Sequence, residues 1–469
     1  ATAGVISLTT ASPKDRAEYI ARAGYEFRAQ EMVGEVIGSG PITETFGARL
    51  AVRGSKMFGG LFDNKADSTT VYRTTNSATG VVTTHPLSPT SRELPGTEAL
   101  TARLTLKWEP TDDLKVNFKA SGDINENNDP AWNWVLFNCP TGASARNPNV
   151  PCGKKFNVYH TGIPQVIAEP TSYTDDGKLY NRYRSFQTTT NIEYDLDNIA
   201  LTAMFNYNWN QNKYACDCDF TVSSLPSSWG VEKTSFWAYS TEVRATTSFD
   251  APINLMLGVY YEKNKRKFAN GAIGGGLENN GSPDVYLTNA KDSQSKGETV
   301  ALFGEVRWDI TDKLDASGGV RYSHETKDSY FRHRYANPAL QALGRFLQGD
   351  CDLNPSTCII ANDKFRNWSP EVTLRYRPNE DVMFYGSYKT AFKSGGFSNS
   401  GIYGSLATVE DFRYEPETVK GFEAGIKATL FDRQLRLGLQ AFRYKYSNLQ
   451  VDFFNAPIFA FSTINAGTA

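Results

Sequence analysis

The sequence has little of what marks a soluble catalytic chain. Of 469 residues only 4 are His, 6 Cys and 5 Met, and 49 Lys+Arg against 51 Asp+Glu leave a net charge of -2. So even a balance carries no electrostatic footprint for a polyanion, and no nucleic-acid partner is expected. No run reaches the roughly 18 apolar residues that a spanning helix needs, which excludes a helical membrane protein. No Ser/His/Asp, Cys/His or paired-carboxylate constellation stands at a usable spacing, so the chain reads as no enzyme and no cofactor site is expected. Gly271 to Gly276 lacks the Lys-Ser/Thr and the helix of a phosphate loop, and reads as a flexible external loop. What the chain does have is 13% aromatic residues and 38 Gly, a balance that favours extended structure.

That extended structure declares itself by period two. Leu100, Ala102, Leu104, Leu106 and Trp108 alternate with Thr101, Arg103, Thr105 and Lys107. Leu114, Val116, Phe118, Ala120 and Ile124 alternate with Lys115, Asn117, Lys119, Ser121 and Asp123. The same rule sets Leu201, Ala203, Phe205, Tyr207 and Trp209 against Thr202, Asn206 and Asn208, and Val300, Leu302, Val306 and Trp308 against Thr299, Glu305 and Arg307. Each segment is a strand with one oily and one wet face. About fifteen such strands are expected, many of ten residues or more, long enough when tilted to cross the apolar band of an outer membrane.

Connections alternate in length. Short ones hold turn residues: Thr43 to Thr45, Pro110 to Asp113, Asp195 to Asn198, Asp250 to Pro252, Thr311 to Lys313, Pro378 to Asp381, and Asp432-Arg433. Long ones, rich in Gly, Pro, Asn and Ser, are expected at 59–97, 125–182, 210–234, 269–296, 330–363 and 394–416. Up-and-down strands with every long loop on one side predict an all-β fold, a transmembrane antiparallel β-barrel with short periplasmic turns and long extracellular loops. A soluble propeller or sandwich would show shorter strands and no such alternation. Trp108 and Trp308 near short turns, and Tyr207, Trp209, Tyr260 and Tyr261 near long loops, read as interfacial girdles. Leu435, Leu437 and Leu439 are odd whereas Phe442, Tyr444 and Tyr446 are even, which predicts a bulge near Gln440 or Ala441.

At this point the chain resembles the TonB-dependent outer-membrane receptor family along nearly its whole length. Ala3-Gly4-Val5-Ile6-Ser7-Leu8-Thr9-Thr10 with Ala11-Ser12-Pro13 is similar to the last plug strand. Tyr385 to Phe397, Glu415-Pro416-Glu417-Thr418-Val419 with Gly421 to Lys427, and Ala441 to Tyr446 with Asn448-Leu449-Gln450-Val451 resemble mid-barrel patterns. The resemblance implies residues 1–16 as the end of a plug domain and linker, and 17–469 as a partial barrel of a family whose barrels have 22 strands. Without a plug body, an energy-coupling box, a signal peptide or the last strands, the chain is expected to be a fragment that does not close or transport alone.

The resemblance further implies TonB-dependent active transport across the bacterial outer membrane. Ferric-siderophore uptake is the leading reading; carbohydrate or cobalamin-type uptake and a passive porin-like channel are the alternatives. The implied partners are the TonB energy-coupling complex, acting through the missing plug segment, outer-membrane lipid and a small extracellular ligand. Wet-face charges Arg49, Arg53, Arg103, Lys119, Glu193, Glu305, Arg307, Arg375 and Lys427 are expected to face the lumen, bordering plug or transit path.

Loop aromatics are the expected ligand contacts: Trp132, Trp134 and Phe137, then Phe453 and Phe454 with Phe459 and Phe461. Loops that collapse on their own aromatic residues are the plainer account. Cys139 with Cys152 and Cys351 with Cys358 are close enough in sequence for loop-stapling disulfides. A Cys216–Cys218 bridge would be strained, which leaves free thiols, a soft-metal site or exchange with another cysteine open. Asp123, Asn125, Asn127 and Asp129 have the alternate spacing of a calcium loop, but the match fails at Asn128 and Trp134, so a polar loop is expected. His85, His160, His324 and His333 show no ligand spacing and are expected as solvated loop residues, with no metal site.

Overall fold

The computed structural model describes residues 9–468 apart from 67, 69–70, 131–141, 143–156, 219–227, 280–284, 339–357, 400–407 and 456–459. Among the described residues no helix is long and apolar enough to cross a membrane. Fifteen strands instead form one antiparallel wall in chain order. They are β1 (Glu18–Glu26), β2 (Glu31–Pro41), β3 (Phe46–Met57), β4 (Gly96–Trp108), β5 (Leu114–Asn128), β6 (Tyr180–Leu196), β7 (Ile199–Asp217) and β8 (Trp229–Thr247). Then follow β9 (Ile253–Ile273), β10 (Leu287–Thr311), β11 (Leu314–Ala336), β12 (Ile359–Asn379), β13 (Val382–Lys393), β14 (Glu417–Leu430) and β15 (Leu435–Ser447).

Register stacks the oily parity of neighbouring strands on one face. Leu50 opposes Leu104, Val259 opposes Leu302, and Tyr322 opposes Trp368. Leu302 and Trp368 are 55% and 65% exposed, values that a water-facing wall would not tolerate in such numbers but a hydrocarbon-facing wall requires. Trp108 and Trp308 end this face beside the short turns, and Tyr207 and Tyr239 stand at the other end. The seven expected short connections join strands as read, and Asp197 takes φ 44° at the β6–β7 turn, a backbone region that Asp tolerates.

The opposite face is a hydrogen-bonded polar ladder. Thr101 and Ser185 both donate to the Asp123 carboxylate, at 2.7 and 3.0 Å. Gln187 donates to Ser121 at 2.9 Å, and Thr189 to Asn206 at 2.8 Å. Glu423 accepts from Lys389 at 2.6 Å, Ser387 at 3.0 Å and Tyr444 at 2.9 Å. Several of the expected lumen charges stand here: Arg49 pairs with Glu18 at 3.4 Å, Arg375 with Asp315 at 2.6 Å, and Lys427 lies over the Tyr385 ring at 5.7 Å. Lys119 donates to Thr10 at 3.0 Å, so the segment before β1 runs along this face.

Three expectations about the strands are corrected. Parts of the segments 210–234, 269–296 and 330–363 are strand rather than loop: β7 continues to Asp217, β8 starts at Trp229, β9 runs to Ile273, β10 starts at Leu287, β11 runs to Ala336 and β12 starts at Ile359. About 9–11 residues cross a bilayer, so the wall rises well beyond the apolar band. Asp123, Asn125 and Asn127 lie inside β5 rather than in a polar loop. No bulge occurs at Gln440 or Ala441, since β14 and β15 pair without a register shift from Thr418–Ser447 to Leu430–Leu435. β15 instead changes which parity is oily: Leu439 and Phe442, on opposite faces, are each 70% exposed.

Candidate functional site: the extracellular mouth

Above the apolar band the long connections fold onto the wall in two places. The larger is a core built around Trp229, the first residue of β8, which is fully buried with Tyr72, Leu87, Ile167 and Ile273. Its indole N–H donates to the Thr161 carbonyl at 3.0 Å, and its ring meets Tyr72 edge-on at 5.1 Å. The Tyr72 hydroxyl accepts from the Gly276 amide at 3.1 Å, and burial pushes its pKa up to about 12. Asp217 accepts from the Thr161 amide at 2.9 Å. Asn64 exchanges two 3.0 Å bonds with the His160 backbone, and the His160 ring meets Asp129 at 2.7 Å.

Gly271 to Gly276 is therefore not a flexible loop. Gly271 to Ile273 belong to β9, and Gly276, at φ 63°, accepts the Thr75 amide at 2.7 Å. A Cβ on Gly276 would meet the Arg73 carbonyl at 2.4 Å, so the segment is pinned where only glycine fits.

The second contact closes inward over the polar face. Residues 394–399 and 408–413 lay Phe397 and Phe412, stacked at 5.4 Å, against Phe331, Ile359 and Ala361. Lys327 donates to the Gly395 carbonyl at 2.8 Å and lies over the Phe365 ring at 5.5 Å. Asn399 donates to Ser295 at 2.7 Å. A hairpin of Gln450–Asn455 with Ala460–Asn465 joins this cluster, Gln450 donating to the Ser394 carbonyl at 2.9 Å. Nearer the extracellular end of the wall Tyr214 donates to Glu232 at 2.8 Å. Lys291 lies over Phe268 at 5.7 Å, and burial lowers its pKa to about 8 against the pull of Glu232.

Of the expected ligand contacts, Phe453 is 38% exposed on that hairpin beside the mouth. Phe454 shares its strand. Trp132, Trp134, Phe137, Cys139, Cys152 and Cys351 lie outside the described residues. Cys358 is disulfide-bonded. Cys216 and Cys218 are bonded to each other, the pairing the sequence marked as strained; Cys216 still pairs with Gly230 in the ladder, and Cys218 lies just past the end of β7. Among the described residues no group of three or more His, Cys, Asp or Glu could hold a metal ion. His85, His160 and His333 are buried, a correction to their expected solvation. Phe331, Phe397, Phe412 and Lys327 were missed as mouth residues, although the aromatic next to Gly395-Gly396 was a usable signal.

His85 sets a pH expectation. Its Nε2 meets the Thr74 hydroxyl at 2.9 Å, and that hydroxyl also donates to Glu278 at 3.1 Å. Burial holds the His85 pKa below its ordinary value despite the Glu278 charge. The unfolded hairpin therefore binds more protons, so its stabilisation is present above about 6.5 and lost as pH falls from there through the folded pKa. Amide exchange over 71–86 should rise on acidification and stay level in His85→Gln; a level profile in the unsubstituted protein refutes the link.

The solved ferric yersiniabactin uptake receptor FyuA from Yersinia pestis superposes with TM-score 0.66 at 16% identity, covering 98% of this chain and 57% of that one. The siderophore receptor PiuA from Acinetobacter baumannii gives 0.59 at 15% identity, covering 98% and 60%. P. aeruginosa FpvA, solved with pyoverdines, gives 0.58 at 13% identity, covering 97% and 52%. These likenesses speak to the fold, and the chain spans somewhat more than half of each receptor. Residues 127–469 match the TonB dependent receptor-like β-barrel model, and with the two-faced wall they establish that the chain belongs to the TonB-dependent receptor family.

Proposed function

We propose that the chain forms part of an outer-membrane receptor that takes up a ferric siderophore, driven by the TonB complex. The observation that carries the proposal is a polar inner wall beneath an aromatic mouth, on a fold it shares with receptors named for ferric yersiniabactin uptake and siderophores. Aromatic walls with a few convergent polar groups suit a small ligand with a flat, partly apolar body. Lys327 and Lys291 place positive charge there, which favours an anionic chelate. The Thr10–Lys119 bond on the inner wall supports a reading in which the segment before β1 leads to a plug that is pulled.

Deleting the gene and measuring uptake of radiolabelled iron with a panel of siderophores tests the reading. One chelate should lose uptake, and loss of TonB should abolish the same uptake in the parent strain. Undiminished uptake of every chelate refutes the siderophore assignment. Uptake that survives loss of TonB replaces it with a passive channel.

A further inference from the structure

The extracellular end of β7 carries a bridge that closes over one residue. Cys216 and Cys218 flank Asp217, and their sulfurs are bonded across it. Both cysteines are already held by the sheet: Cys216 pairs with Gly230, and the Cys218 amide donates to the Ser228 carbonyl at 2.7 Å. A disulfide stabilises chiefly by closing a loop of the unfolded chain, and the gain shrinks with the loop. A bridge over a single residue gains little that way and ties no distant segments together. What it fixes is the backbone on either side of Asp217.

Asp217 points away from the sulfurs, because alternate residues of a strand face opposite sides. Its buried carboxylate accepts both the amide and the hydroxyl of Thr161, at 2.9 and 3.3 Å. Trp229, paired directly with Asp217, donates its indole N–H to the carbonyl of the same Thr161 at 3.0 Å. Thr161 in turn bridges to Pro89, and Gly162 donates to the Ser88 carbonyl at 3.0 Å. One residue thus ties the connections before β4 and before β6 to the last rung of β7 and β8. The sulfurs lie on the inner face, in line with Tyr214, over the bare backbone of Gly230, where a Cβ would meet Cys218 Sγ at 3.1 Å and Cys216 Sγ at 3.4 Å. Cys216 is buried and Cys218 half-buried, so an incoming nucleophile finds one accessible sulfur.

We propose that the Cys216–Cys218 bridge is a thiol-exchange site, modified by a small external thiol, and that its opening loosens the extracellular cap through Asp217. The incoming thiolate attacks Cys218 Sγ; a new S–S bond forms there, the Cys216–Cys218 bond breaks, and Cys216 leaves as the thiolate. A second thiolate then attacks the sulfur of the bound thiol, so that Cys216 and Cys218 end as the reduced dithiol and the external thiol as its own disulfide. Without the ring the end of β7 frays, and the Asp217 carboxylate loses its fixed aim at Thr161. The inference is independent of what the receptor imports, so an unchanged iron uptake leaves it standing.

The test incubates the full-length receptor, purified in a mild detergent, with reduced glutathione and follows it by peptide mass spectrometry and amide exchange. A glutathione adduct should appear first on Cys218. Amides of 158–163 should then exchange about tenfold faster, the loss expected for one bond to a charged acceptor, while 203–209 in the wall stay slow. Cys216→Ser combined with Cys218→Ser leaves every other cysteine in place; it should exchange fast at 158–163 before thiol is added and no faster afterwards. Should that variant fail to fold, Asp217→Ala replaces it, expected to exchange fast from the outset, to take the adduct, and to gain nothing further from thiol. An intact bridge after glutathione, an adduct first on Cys216, or a reduced bridge with unchanged exchange overturns the proposal. A thiol response that persists in the double variant also overturns it and assigns the effect to another bridge.

Discussion

Trp229→Ala should release the extracellular cap from the wall while leaving the wall folded. A fully buried aromatic truncated to alanine costs about 3–5 kcal/mol, and the Thr161 carbonyl loses the indole donor it now accepts from. Trp229 joins β8 to segments around Tyr72, Leu87 and Ile167, so both connections should become protease-sensitive and exchange amides faster at once. Trp229→Phe keeps the edge contact with Tyr72 but not the N–H, and should fall between. Unchanged exchange over 71–86 and 163–168 in the alanine variant would show that the cap is held some other way.

The second large effect belongs to the oily face. Leu302 sits mid-wall between Val259 and Tyr322, and Leu302→Arg should cost about 2–4 kcal/mol, the penalty of a cation at the bilayer midplane. Thr202→Lys, on the inner face opposite Glu193, should lie within about 0.5 kcal/mol of the unsubstituted protein. Denaturant unfolding in lipid vesicles measures both. Similar costs for the two substitutions would remove the distinction between hydrocarbon and lumen on which the fold rests.

The wall was legible because hydrocarbon on one side and water on the other force contrasting residue types onto alternate positions, as in Leu100 to Trp108. Its upper part was not. In Gln211-Asn212-Lys213-Tyr214 both faces are polar or covered by protein, so period two loses its contrast although the ladder to β8 continues unbroken. Short turns were legible from local chemistry, since Asp, Pro and Thr act on their own backbone. The mouth was not: Phe331 lies far from Phe397 and Phe412 in the chain, and the three meet only in the folded protein. Asp129 was expected only as part of a polar loop because its partner His160 is 31 residues away. Gly276 looked free for the same reason, its neighbour Arg73 belonging to a distant hairpin.

The height of β10 has a practical reach. A wall that stands so far clear of the bilayer exposes its summit to bulky probes, antibodies among them, that cannot approach the lipid plane. Tags near Trp229 on living cells should be bound from outside, whereas tags beside Tyr207 should stay shielded by surrounding lipid.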